Sequence, residues 1–449
     1  HAMESLKRSM AWDEQVYQLE YDLDEYNIVA VRHFNMGAME NKSLNIFNSK
    51  LVLADAETAT DAELERIESV IAHEYFHNWS GNRITCRDWF QLSLKEGLTV
   101  FRDQSFTADL HSAAVKRIED VAMLRNTQFR EDAGPTAHPV KPAEYQAIDN
   151  FYTTTIYEKG AELIRMLHTL LGQERFMRGM ATYVSRFDGT AATTEDFVQS
   201  IVDGAAQDGQ PLGFDSERFK RWYHQAGTPE LTVQRQWDAV KGELTLELRQ
   251  STPPTPGQTE KQPLVLPIAV ALVGEKGRIG EEQLLVMDGD QASLTLQGDP
   301  GSAAPALSLL RRFSAPVNVQ LEQSLQESLQ LLAHDDDPFS RWDAGQRLAR
   351  QVLLARASGE PDATVEAALI QALRQRLNAF DGGGGQDLAV LLALPGTAEL
   401  EALQNPVDPP ALYAARREWI AELGRQLADP LHQLLDVCRG ELPQAWPAA

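Results

Sequence analysis

One pentapeptide, His73-Glu74-Tyr75-Phe76-His77, constrains this chain more than any other feature, because its two histidines fall four residues apart inside a run of helical spacing. Leu64, Ile67, Ile71 and Tyr75 recur at helical intervals, Thr60 and Glu63 form a capping-box pair ahead of them, and Gly81 offers a stop. The spacing predicts a helix over about Asp61 to Trp79. On such a helix residues i and i+4 project from one face, so both imidazoles aim at one point.

Two histidines alone are compatible with an ordinary surface helix, so a third ligand decides. Glu96 stands nineteen residues beyond His77, on a second helical stretch that opens near Asp88 and runs through Leu92, Val100 and Asp103. The segment Gly81-Asn-Arg-Ile-Thr85 leaves room for a turn and an antiparallel return. Two histidines and one glutamate leave a fourth tetrahedral position open, which is the pattern of a catalytic rather than a structural zinc site. Zinc lowers the pKa of its water to about 7. Glu74, next to a ligand and on a neighbouring face, can accept that proton and deliver it to a leaving amine. Asp103 lies two helical turns after Glu96; it either orients a ligand imidazole or is an exposed helix carboxylate. His33, His111 and the histidines downstream show no ligand spacing.

At 449 residues the chain exceeds one hydrophobic core, so two to four domains are expected. Its 41 Lys+Arg against 65 Asp+Glu give a formal charge of -24, which argues against a nucleic-acid backbone or an anionic membrane surface as partner. A cationic or amine-bearing ligand fits that charge, as does solubility alone. Two cysteines far apart, Cys86 and Cys438, form no disulfide framework and point to a reducing, cytoplasmic compartment. The longest apolar run, Leu264 to Val273, is broken by Pro267 and too short for a bilayer, so it reads as a buried strand. The chain begins at His1 without an initiator Met, and the expectation is that it starts inside a longer protein with any targeting signal upstream.

Three segments follow from the changing period. Residues 1–227 open with a short strand section, Tyr26 to Phe34, and then turn mostly helical, with helices over Ala113 to Arg130, Tyr157 to Leu171 and Thr194 to Asp203. Residues 228–319 alternate, as in Glu243 to Leu248, Leu284 to Met287, Ser293 to Leu296 and Val317 to Leu321, which predicts a small β-sandwich. Residues 320–449 are helical again, broken at Asp335 to Pro338, Gly382 to Gly385 and Asp408 to Pro410, and are expected to be truncated. The four glycines read as a flexible loop, since no Lys-Ser/Thr or helix start follows in phosphate-loop register. The fold class is multi-domain α+β.

Gly37-Ala-Met-Glu-Asn41, His73-Glu-x-x-His77 with Glu96, and Asn150-Phe-Tyr152 leading to Tyr157-Glu-Lys-Gly160 together resemble the aminopeptidase N family of gluzincin metallopeptidases, nearest its bacterial cytosolic alanyl branch. The resemblance implies a thermolysin-like catalytic domain, a β-sandwich and a superhelical C-terminal region. It also implies one Zn2+ per chain and removal of the first residue from peptides with a free N-terminal amine. A monomer is expected. In such a family Gly37, Ala38, Met39, Glu40 and Asn41 form a strand edge for the substrate backbone, and Glu40 binds the α-ammonium by a charge-assisted hydrogen bond. Tyr157 would donate to the oxyanion, as a phenol still protonated at neutral pH. Met36 and Tyr152 would line the first side-chain pocket, with apolar core packing as the competing explanation.

The same resemblance implies an N-terminal β-domain ahead of His1 that supplies a further Glu and a Gln, and a helical region continuing past Ala449. Asp149-Asn150 stands where the family often has two Asn. Two alternatives stay open: a zinc endopeptidase or epoxide-hydrolysing relative on this scaffold, and a zinc-binding fragment without activity. The preferred first residue is expected to be Ala or basic, and the ligand set accepts zinc, cobalt or manganese.

Overall fold

A computed structural model of the chain describes residues 1–380 and 385–441. It opens on a helix, α1 (Ala2–Val16), where a strand section was expected. The inward face of α1 is Ser5, Leu6, Ser9, Trp12 and Asp13, too polar to register as an apolar stripe. Asp13 is buried because Arg102, itself buried, pairs with it and donates to the Phe76 carbonyl at 2.9 Å. Buried charges persist when they are paired in this way.

A three-stranded sheet follows, in the order β1-β3-β2, from β1 (Asn27–Val31), β2 (Ala38–Met39) and β3 (Leu44–Asn48). The first strand ends at Val31, short of Phe34. β2 pairs antiparallel with β3 through Ala38↔Phe47 and Met39↔Ile46, and forms one edge of the sheet. Helix α2 (Asp61–Phe76) starts on the expected capping box: Glu63 N donates to Thr60 Oγ1 at 3.2 Å and Thr60 N to Glu63 Oε2 at 2.8 Å. It ends three residues before Trp79. A 3-10 turn (Trp89–Gln91), capped by Asp88, precedes α3 (Leu92–Leu110). Trp12, Ile67, Ile71, Tyr75, Phe76 and Phe106 form the core between α1, α2 and α3, each burial contributing roughly 1.5–3 kcal/mol.

The helix expected over Ala113 to Arg130 is α4 (Ala113–Met123), then a π turn (Leu124–Gln128), then α5 (Phe129–Asp132). Another π turn (Thr155–Lys159) runs into α6 (Gly160–Leu171). Gln128 Nε2 donates to Thr155 Oγ1 at 3.2 Å with both residues buried, which ties one wide turn to the other. Helices α7 (Gln173–Phe187) and α8 (Thr194–Ala205) pack so closely that a Cβ on Gly204 would lie 2.5 Å from the Arg178 carbonyl oxygen.

Beyond residue 228 the two sheets of the sandwich are a four-stranded one built on Glu230–Asp238, Glu243–Ser251, Gln291–Gln297 and Asn318–Gln320, and a three-stranded one from Leu266–Gly274, Gly277–Met287 and Ala306–Leu309. Every residue from Leu266 to Val273 is buried, which is why that strand shows no alternation. Helices resume at Leu325, with Leu332, Leu348, Leu369, Leu373 and Trp419 in their core. Arg117 on α4 forks onto Glu162 of α6 at 2.7 Å twice and donates to the carbonyls of Arg312 and Phe313, joining α4 and α6 to the segment that follows the sandwich strand Ala306–Leu309. Of the four-glycine run, Gly382 to Gly384 lie outside the described residues, and Gly385 opens a helix (Gly385–Leu392). Among the described residues no helix is long and apolar enough to cross a membrane.

Candidate metal centre

His73 and His77 leave α2 one turn apart, and their rings stand at 85° with centroids 4.6 Å apart. Each has an acceptor on Nδ1: Asp103 Oδ2 at 2.7 Å for His73, the Ser80 carbonyl at 2.8 Å for His77. Those acceptors place the hydrogens on Nδ1 and leave a bare lone pair on each Nε2. The two Nε2 atoms face each other at 3.0 Å, and Glu96 Oε2 lies 3.4 and 3.2 Å from them, buried and without a hydrogen-bond partner. Converging lone pairs and an orphaned carboxylate oxygen repel unless a cation sits among them. With zinc–nitrogen bonds of about 2.0–2.1 Å, one ion reaches both nitrogens, so the three side chains fit a divalent metal. Asp103 is buried, which removes the exposed-carboxylate alternative.

The turn between the helices is held backbone to backbone, with Asn82 N on the His77 carbonyl and Gly81 N on that of Ile84. Gly81 adopts φ +143°, and a Cβ there would come 3.0 Å from His77 Nδ1. Gly81→Ala is expected to cost about 1–3 kcal/mol of stability and to weaken metal retention. Denaturant unfolding with and without zinc measures both, and a neutral result would show that the turn yields without disturbing His77.

Glu74 is 6% exposed, its Oε2 has no partner, and burial pushes its carboxyl up to about 7 against the opposing pull of His73 and His77. Oxygens of Glu40 and Glu74 and a nitrogen of His77 all lie within 4.8 Å of one another, so both carboxylates open onto the same space. Glu40 follows the edge strand β2, and its carbonyl accepts from Asn82 Nδ2 at 2.8 Å. Tyr157 stands in the second π turn within hydrogen-bonding reach of Glu96, and burial holds its phenol well above the usual tyrosine range. π turns of this kind recur at functional sites.

These groups line one cavity of about 1240 Å³. Met36, Gly37, Ala38, Met39, Glu40, Tyr152 and Tyr157 all face it, whereas Asn41 does not. Met36 is 46% exposed, which removes core packing as its explanation. Tyr152 does both, lining the cavity while packing against the small apolar cluster of Leu92, Phe151 and Ile156. The lining also includes Glu65 on α2, Glu119 and Asp120 on α4, Glu158, and Gln386 and Val390 of the helix Gly385–Leu392. Sequence reasoning missed Lys95, whose ammonium lies 2.7 Å from Glu40 Oε1 and also contacts Glu96, and Asn82, which fastens the edge strand to the turn. Neither has a signal in spacing; Lys95 had only its adjacency to Glu96.

Two histidines of one helix and a glutamate of the next, beside a small sheet and ahead of a sandwich and a helical array, define a gluzincin-type chain. More narrowly, the chain belongs to peptidase family M1, whose domain matches residues 1–217. A domain of unknown function with an Ig-like fold matches residues 227–322, and another with ARM repeats matches 325–446. The chain is 51% identical over 434 residues to aminopeptidase N of Caulobacter vibrioides, covering 97% of this chain and 49% of that protein. It is 48% identical over 440 residues to aminopeptidase N of Escherichia coli, covering 96% and 50%. The crystal structure of Legionella pneumophila aminopeptidase A in complex with aspartic acid superposes with a TM-score of 0.84 at 30% identity, covering 100% of this chain and 49% of that one. The chain thus spans about half the length of the relatives it matches.

Proposed function

We propose that the protein is a zinc-dependent aminopeptidase that hydrolyses the first peptide bond of peptides with a free N-terminal amine. The observation that carries this reading is the bare nitrogen pair of His73 and His77 facing the orphaned Glu96 oxygen, with Glu74 and Glu40 opening onto the same space. Likeness to aminopeptidase N supports it. So does the aspartic acid in complex with the Legionella aminopeptidase A, a free α-amino acid being what first-bond hydrolysis releases.

When bound by His73, His77 and Glu96, zinc supplies a Lewis acid for the scissile carbonyl and an acidified water. Glu40 accepts from the α-ammonium, and the β2 edge from Gly37 to Met39 lies alongside the substrate backbone. Glu74 takes the proton of the attacking water and returns it to the departing amine. Tyr157 donates its hydroxyl to the carbonyl oxygen as negative charge develops there. Met36 and Tyr152 bound the first side chain. Residues 1–227 act as the catalytic domain, 228–319 as the sandwich and 320–449 as the helical domain. A reducing, cytoplasmic setting suits a chain whose Cys86 thiol is free.

Glu40→Ala tests the exopeptidase character. Losing a hydrogen bond between two charged groups is expected to lower kcat/KM on an alanyl chromogenic amide by about 10- to 100-fold. An unchanged kcat/KM, or equal turnover of the N-acetylated substrate, would identify an endopeptidase instead.

A further inference from the structure

Lys95 stands between two carboxylates that the aminopeptidase reading gives different duties. Its ammonium is 2.7 Å from Glu40 Oε1 and in contact with Glu96 Oε1, and its side chain is only 13% exposed. Each carboxylate spends one oxygen on Lys95 and keeps the other: Glu96 Oε2 faces the histidine nitrogens, and the second oxygen of Glu40 remains for a ligand. Neighbouring helical residues do not share a face, so the lysine stem has to curl back to reach both. It does so against Gly81, where a Cβ would sit 3.4 Å from Lys95 Cδ.

We propose that Lys95 is a positioning residue for α-amine recognition, a fixed cation that half-neutralises Glu40 and sets its spacing from Glu96. The inference rests on the aminopeptidase reading. Glu40 and Glu96, both buried, repel each other in the absence of a common counter-ion. With Lys95 between them, an incoming ammonium meets a carboxylate that is already half satisfied. Ground-state binding is therefore weaker than a bare Glu40 would give, while the amine is held at one distance from the carboxylate that faces the histidines. That exchange, less binding for better placement of the scissile carbonyl, favours kcat over affinity.

Lys95→Met keeps the stem and removes charge and donors; Lys95→Arg keeps both. Three readouts are taken on the purified full chain: steady-state kinetics on an alanyl chromogenic amide, calorimetric binding of alaninol, which has an amine but no scissile bond, and zinc retention against a chelator. Lys95→Met is expected to bind alaninol about tenfold tighter, to lower KM in the same direction, and to lower kcat about 10- to 100-fold. Lys95→Arg should return all three values towards those of the native protein. A Met variant that keeps its zinc yet binds alaninol no better, or keeps its kcat, overturns the proposal. If the Met variant loses its zinc, Lys95→Gln decides by the same criteria, and loss of zinc there too makes Lys95 a structural support and overturns it. A native protein that neither turns over the amide nor binds alaninol fails the aminopeptidase reading itself, and this inference with it.

Discussion

Glu74→Gln should lower kcat by about 10²–10⁴-fold and leave the metal content unchanged. Glu74 contributes no atom to the converging triad of His73, His77 and Glu96; its carboxylate faces the shared space with Oε2 unpartnered. The glutamine amide fills the same volume but takes up no proton. Burial raises the Glu74 carboxyl to about 7 against the lowering pull of His73 and His77, and on the proposed reading this group takes a proton and returns it. Glu40, Met36 and Tyr152 are untouched by the change, so KM should move little. Steady-state kinetics beside metal analysis check the result, and a variant within a few-fold of native kcat would remove Glu74 from the chemistry.

Glu96→Ala is expected to take zinc content from one per chain to well below it and activity to background. The two imidazoles remain on α2 with their Nδ1 acceptors in place, but the buried carboxylate that completes the cluster is gone, and Lys95 loses one of its two partners. A ligand held at a thousand times its dissociation constant stabilises a fold by about 4 kcal/mol. Zinc should therefore raise the melting temperature of the native protein and leave that of the variant nearly still. Thermal unfolding with zinc and with chelator gives the comparison; equal zinc-induced shifts in the two proteins would mean that Glu96 is no ligand.

Much of this site is readable from residues alone because its determinants are local. The Thr60–Glu63 box and the Ile67, Ile71, Tyr75 spacing define α2, and helical geometry then converges His73 and His77 without help from elsewhere. The run from Leu266 to Val273 is likewise legible as a strand, since only burial on both faces tolerates it. The opening helix is not legible, because its inward face carries Ser5, Ser9 and Asp13, and Asp13 is acceptable there only through Arg102, eighty-nine positions later. The wide turns at Leu124–Gln128 and Thr155–Lys159 leave no period in the sequence; they depend on Gln128 meeting Thr155 across the fold. Lys95 escapes for a related reason, as helical geometry turns it away from its own neighbour and only the folded chain brings it to Glu40.

One stretch of the chamber wall belongs to Gln386, Ala389 and Val390, some three hundred residues along the chain from the histidines. On the proposed aminopeptidase reading, which peptides are admitted is thereby partly delegated to a module that takes no part in bond breaking. By the same reading, selectivity for the length and charge of a peptide tail can drift, or be redesigned, by exchanging side chains on that remote helix while the proposed hydrolytic residues are left as they are.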